Sequence, residues 1–549
     1  MVESEKTVRS SFMSGVLWLS LSTLLVKLIG LLYKIPMLSC LGAVGMGYFH
    51  SAYELYALFC IIATAGLPVA LSVLISAAIA RADREEVQRI DRSSMRIFLM
   101  IGIGGSAMML LLAKGFCSLI QSEGAYPCVL AISPTVLLIC ISSAYRGYFQ
   151  GHQKMAPTAI SQLIEALGKL LLGVFFAKWA YGRGMDTPQI AVAAGWGLTL
   201  GTAVATLYLM LEKRRFAALQ GETSWGTVSV NGKGLRRALA RLAIPMTLGA
   251  SAVSLTKLID MGMILRRLQA IGYSETMANE IYGSYTALAL SVYGLIPSLV
   301  NAVALPLIPG LSAAIERGET RRQGQLVMLS YRLTALFAVP AALGVSAFAK
   351  PILTLLFGRE PEAVESAAPL LSLLGVSVFL SCMITATNSV LHAYRSVNRP
   401  ILSALAGAAV KLVAAYFLIG SVQVGIYGAP ISTFLCNLTV VILNLIFVAR
   451  LCPADRITGV LWAPLGASSL AVGLPYLCYC RLLQHVERVG MLTVACLTAV
   501  VALYVIFACL LGAVREQDLL SLPGGTALCR CLRRLGLLRR EETEKEGSI

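Results

Sequence analysis

The stretch Leu25-Val26-Lys27-Leu28-Ile29-Gly30-Leu31-Leu32-Tyr33-Lys34 decides how the chain is read. It lies within an apolar run, Phe12 to Met37, that exceeds the ~20 residues a bilayer-spanning helix needs. Lys27 falls near the middle of that run. A charge at such depth costs roughly 2.5–3.5 kcal/mol on insertion scales, so it normally faces a bundle interior or a wet cavity. Snorkelling to the interface is the competing reading. It suits Lys34, near the outer end, better than Lys27, about a turn and a half or more from either end.

The rest of the chain has the same character. Of 549 residues, 57% are hydrophobic and 13% charged, with a mean hydropathy of +0.77. A soluble domain carries about 25% charged residues, so most of this chain does not face water. The apolar runs are too long and continuous for barrel strands. The fold class is therefore an all-α polytopic membrane protein of about 14 transmembrane helices. The expected spans are 12–33, 46–79 (broken at Gly66-Leu67-Pro68), 94–116, 128–149, 157–180, 188–211, 239–265, 280–312, 327–348, 366–393, 400–420, 424–449, 458–480 and 491–513.

Charge sets the orientation. The net charge of +17 invites a nucleic-acid reading, but basic cytoplasmic loops produce the same number. With the N-terminus inside, inner loops and tails hold 31 Lys and Arg residues and outer loops hold 10. This excess places both termini in the cytoplasm.

An internal repeat organises the spans. Leu25, Lys27, Leu28 and Ile29 recur as Leu255, Lys257, Leu258 and Ile259. Ser76-Ala77-Ala78-Ile79 recurs as Ser312-Ala313-Ala314-Ile315, and Lys169-Leu170 as Lys411-Leu412. Six helices per half is an even number, so the halves share one orientation, as in carriers whose two bundles rock about a central site. The expected organisation is a six-helix lobe at 1–212, a cytoplasmic linker at 213–236 and a second six-helix lobe at 237–450. Two additional helices at 451–514 and a basic, then acidic, cytoplasmic tail at 515–549 complete it. The run Cys529 to Arg540 suits a basic helix on anionic membrane lipids, or a frayed tail.

Among the ionisable residues inside spans, seven draw attention: Lys27, Glu54, Glu165, Lys169, Lys257, Asp260 and Lys411. Glu165 with Lys169, and Lys257 with Asp260, have the spacing of local ion pairs. Lys27 has no acid within a turn, and Glu54 in the next helix is its expected partner. Lys27 and Lys34 form a cationic ladder on one helix face. Lys257 and Arg266, the latter beside Arg267, extend it toward the outer mouth. Such a ladder suits an anionic, phosphate-bearing head group. Asn301, with Tyr282, Tyr285 and Tyr293, suits sugar hydroxyls. Gly66, Pro68 and Pro306 mark bending points. The four histidines and fourteen cysteines form no catalytic or metal-ligand pattern, and no phosphate-binding loop is present. No cofactor and no enzymatic activity are expected.

Several motifs carry a family resemblance. Leu25 to Pro36, Gly42-Ala43-Val44-Gly45-Met46-Gly47, Thr64-Ala65-Gly66-Leu67-Pro68-Val69-Ala70, Tyr145-Arg146-Gly147-Tyr148-Phe149-Gln150-Gly151 and Met155 to Glu165 resemble the stage V sporulation protein B family. That family belongs to the multidrug, oligosaccharidyl-lipid and polysaccharide exporters. The motifs cover the first half well, and the second half matches mainly in helix pattern. The resemblance implies an alternating-access flippase with two six-helix lobes and two further helices. Its implied cargo is an undecaprenyl-diphosphate-linked oligosaccharide, such as the peptidoglycan precursor lipid II, for spore cortex or wall synthesis. Relatives hold the diphosphate with cationic side chains in the first helix and central cavity, positions that Lys27 and Lys34 resemble. Two other classes stay open: a proton- or Na⁺-coupled multidrug antiporter, and a non-transporting scaffold for cell-wall synthesis proteins.

Overall fold

The computed structural model describes residues 2–219, 232–304, 307–396, 398–452, 458–483, 489–514 and Cys529. Every regular element among them is helical. The first helix, α1, runs Val2–Thr64 and is bent at Gly42, whose φ of 63° is open to glycine at little cost. There follow α2 (Leu67–Ala80), α3 (Arg84–Leu119), α4 (Tyr126–Ile132), α5 (Pro134–Gly151), α6 (Ala156–Gly182), α7 (Thr187–Leu219), α8 (Gly232–Ala270) and α9 (Glu275–Ser284). A π-helical turn, Tyr285–Ala289, leads into α10 (Leu290–Ala304). The remaining helices are α11 (Leu307–Glu316), α12 (Thr320–Ala347), α13 (Ala349–Phe357), α14 (Pro361–Ala393), α15 (Asn398–Ile419), α16 (Gly428–Ala449), α17 (Thr458–Leu482) and α18 (Val489–Leu510).

Twelve stretches of the described residues are long and apolar enough to cross a membrane. The first, Ser22–Ala80, is 59 residues long and takes in residues 22–33 of the first expected span and the whole of the second. The seventh expected span lies on α8, which is not among the twelve. The break expected at Gly66-Leu67-Pro68 is present, since α1 stops at Thr64 and α2 starts at Leu67. Arg146 falls in the expected span 128–149, and α5, which runs to Gly151, keeps it buried.

The chain forms two compact units, Met1–Ser291 with Ala415–Ala429, and Val292–Ala414 with Pro430–Ile549. In the first, small residues let helices approach closely, the usual basis of association where no water drives it. A methyl group on Gly201 would strike the backbone of Gly168, and one on Gly197 the backbone of Gly173, so α6 and α7 cross almost backbone to backbone. Gly47 of α1 and Gly283 of α9 make a second such crossing, each against the other helix's main chain. Hydroxyls bond across the α5–α7 seam, Thr135 to Thr199 and Ser142 to Thr206, both at 2.7 Å.

The second unit is held by an apolar core on α12, α14 and α16, including Val327, Tyr331, Met383, Val390 and Val441. Asn444 threads amide bonds through it to Thr387 Oγ1 at 3.0 Å and Asn388 Oδ1 at 2.9 Å. Phe348, Val472, Cys496 and Val500 pack the last two helices onto this unit. Because the α6–α7 crossing has no room for a side chain, Gly201→Leu is expected to cost about 1–3 kcal/mol or more, as overpacking does. A lower unfolding temperature of the purified protein, against an unchanged Gly104→Leu control at an open glycine, checks it.

Candidate functional site

All the ionisable residues expected in the first seven spans belong to the first unit. On α1 the two lysines differ. Lys27 is exposed and Lys34 only partly so. Lys34 donates to the Thr286 carbonyl at 3.0 Å and to Ser291 Oγ at 2.7 Å. The π turn explains the first contact. A wider turn shifts the backbone ladder by one residue and leaves carbonyls open to side chains. Ser291 Oγ in turn donates to the Ala287 carbonyl at 2.5 Å. Lys34 therefore ties the first helix to the α9–α10 junction, a role that nothing in the sequence announced.

Around this tie lies a cluster of charge and aromatic surface. Glu54, on the second limb of α1, and Lys169, on α6, are within electrostatic reach of Lys34. The Lys169 ammonium lies 4.4 Å from the Tyr53 ring centre and 4.9 Å from that of Tyr33, both favourable cation–π distances. His50 is buried beside Lys34 and Lys169, and its Nε2 has no hydrogen-bond partner among the described residues. Glu165 is held by Arg146 at 2.8 Å, and Arg146 Nε also donates to Ser161 Oγ at 3.0 Å. The spacing offered Lys169 as the partner of Glu165. The hydrogen-bonded partner is Arg146, which reaches it from the neighbouring helix α5.

Lys257 of α8 is exposed, and its charge is within reach of Lys27. The two lysines that the repeat aligns thus lie within electrostatic reach of each other in this unit. Glu54 and Asp260 both lie within electrostatic reach of the buried Tyr282 hydroxyl. Lys27, Lys34, Glu54, Lys257 and Asp260 are therefore linked through neighbouring groups on α1, α8 and α9. Arg266 stands apart. Nine residues beyond Lys257, it is half a turn round α8 and lines a cavity of about 900 Å³ with Arg267, whose guanidinium lies 4.2 Å from the Tyr416 ring centre.

Of the bending residues, Gly66 is pressed against the α8 backbone at Ala243, and the buried Pro68 against Gly147 of α5. The side chain of Asn301 and the whole of Pro306 lie outside the described residues. So do the tail beyond Val514, apart from Cys529, and residues 220–231 of the connection at 213–236.

Twelve stretches long and apolar enough to cross a membrane, with lysines set among them, define a multi-pass membrane protein. The chain belongs to the polysaccharide biosynthesis protein family, whose model matches residues 12–314. It is 25% identical over 460 residues to the lipid II flippase MurJ of Bacillus subtilis, covering 80% of this chain and 83% of that one. To the stage V sporulation protein B of the same organism it is 23% identical over 447 residues, 81% of this chain and 85% of that one. A solved lipid II flippase MurJ, in an inward closed conformation, superposes with a TM-score of 0.69 at 13% identity. That superposition covers 90% of this chain and 98% of the other, a likeness of fold.

Removing one side of the Arg146–Glu165 pair leaves a buried charge, which typically costs about 3–5 kcal/mol. Glu165→Gln is therefore expected to lower the unfolding temperature more than Arg146→Gln with Glu165→Gln together. A double-mutant cycle on thermal unfolding measures the difference.

Proposed function

We propose that the chain is an alternating-access flippase that carries an undecaprenyl-diphosphate-linked oligosaccharide, of the lipid II type, outward across the cytoplasmic membrane. The observation that supports this reading is that Lys27 and Lys257, both exposed, lie within electrostatic reach of each other. Two ammonium groups held near each other repel, and an anion between them relieves the repulsion. A diphosphate supplies two or more negative charges at that spacing. Lysine meets phosphate as a point charge able to follow it, which suits a site that must also release its cargo.

In this reading Lys27 and Lys257 attract the diphosphate, while Glu54 and Asp260 moderate the cationic field when cargo is absent. Lys34 keeps the first helix aligned through the π turn, and its third N–H is left for cargo. Arg266, on the other face of α8, is a later contact on the outward path. Gly66, Pro68 and Pro306 serve as hinges between the inward- and outward-open states, and Asn301 meets the glycan. Both termini lie in the cytoplasm. A potential of 100 mV, negative inside, contributes about 2.3 kcal/mol for each net negative charge moved outward, so no nucleotide is needed. The names of the MurJ relatives support the cargo, and that of the sporulation protein supports a role in spore or wall synthesis with wall-synthesis proteins as partners. The chain is then a carrier and not an enzyme.

Lys27→Ala is expected to reduce flipping roughly ten- to hundredfold, the range for one lost charge-assisted contact, while the protein still inserts. Appearance of lipid II at the outer face of cells that depend on this chain, at matched expression, is the measurement. Unchanged exposure in Lys27→Ala with Lys257→Ala sinks the assignment. In vesicles, abolishing an inside-negative potential is expected to slow net outward movement, and an unaltered rate shows that the potential does not drive it.

A further inference from the structure

At one end of the first unit, α3, α5 and α7 enclose a second cavity, of about 790 Å³. It lies well away in sequence from the lysines of α1 and α8, on the first turns of α3 and the last turns of α5 and α7. Four cations line it, Arg92, Arg96, Lys213 and Arg214, against one carboxylate, Asp91. Asp91 already holds Lys213, with both of its oxygens 2.6 Å from the ammonium. The same ammonium lies 4.6 Å from the Tyr148 ring centre and 5.3 Å from that of Tyr145. The carboxylate is thus neutralised and Lys213 fixed. Among the described residues no ion pair engages Arg96 or Arg214, and both are exposed. Met95 and Met210 give the same cavity an apolar side.

A pocket with surplus guanidinium charge and an apolar flank, at the end of a transmembrane bundle, matches the amphipathic shape of an anionic lipid. Basic pockets between helices on the cytoplasmic side take such head groups, and the charge pattern assigns this end to that side. We propose that this cavity binds the phosphate groups of an anionic phospholipid. Arg96 and Arg214 hold phosphate oxygens through charge-assisted, forked hydrogen bonds. Asp91 and Lys213 form the fixed floor, and the acyl chains leave along Met95 and Met210. The site is separate from the one proposed for cargo, so lipid binding here and flipping fail independently.

The test is thermal unfolding and native mass spectrometry of the purified full-length protein in non-ionic detergent. It is titrated with diphosphatidylglycerol, phosphatidylcholine or sodium pyrophosphate. Diphosphatidylglycerol is expected to raise the unfolding temperature and to be retained as a bound lipid, and phosphatidylcholine is not. Arg96→Gln with Arg214→Gln is expected to weaken binding roughly tenfold or more, while Arg317→Gln with Arg321→Gln, at exposed positions elsewhere, leaves it unchanged. If the double variant does not fold, Arg96→Gln alone is read by the number of lipids it retains. Full retention by that variant, or equal binding of phosphatidylcholine, overturns the proposal. Equal stabilisation by pyrophosphate alone overturns the lipid as the source and identifies a soluble phosphate.

Discussion

A lysine inside an apolar bundle must find acceptors or stay wet, and Lys34 shows what that demand does to the backbone around it. Its ammonium meets the Thr286 carbonyl and the Ser291 hydroxyl. An ordinary α-helix has no carbonyl to spare in mid-run, because each accepts the N–H four residues on. The π turn at Tyr285–Ala289 breaks that ladder locally and makes an acceptor available. The irregular turn and the buried cation thus stabilise each other. Loss of the lysine would leave the Thr286 carbonyl with only the longer contact from Ser291 Oγ at 3.2 Å, and regularising the turn would leave the lysine without its backbone acceptor.

The same economy of space governs the helices that frame this tie. Gly42 turns α1 so that its second limb can lie against α9, and Gly47 and Gly283 let the two backbones meet. That contact brings Glu54, Tyr53 and His50 to the same neighbourhood as Lys34 and Lys169. Gly66 and Gly147 accept α8 and Pro68 in the same manner. The motifs that carried the family resemblance are therefore mostly points of close approach, with one ion pair, Arg146 to Glu165, among them. They record how the helices are packed, and the packing in turn positions the charges.

Legibility followed from range. The apolar runs and the break at Gly66-Leu67-Pro68 are local signals, and the helices fall where periodicity and length put them. The repeat singled out Lys27 and Lys257 because the chain states the pattern twice, and the two lie within electrostatic reach of each other. The Arg146–Glu165 pair was not legible, since it joins two different helices, whereas the spacing on α6 offered only the local partner Lys169. The π turn had no sequence signal at all. Tyr285-Thr286-Ala287-Leu288-Ala289 reads as ordinary helix, and only the lysine across from it distinguishes the segment. Arg266 shows the opposite error of linear reasoning. Proximity in sequence suggested one ladder, while half a turn of helix puts it on another face.

The contrast between the two lysines of the first helix bears on what a carrier needs. A cation that binds cargo must not be fully satisfied by the protein, or the cargo gains nothing by arriving. A cation that holds the fold must be satisfied, or the bundle would admit water at the wrong place. In the reading proposed above, Lys27, exposed and within electrostatic reach of Lys257, is given the first role. Lys34, with two oxygen acceptors, largely meets the second. One apolar helix thus carries a lysine exposed near a second cation and a lysine tied to the π turn, and the difference comes from what each meets on the neighbouring helices and not from its residue type.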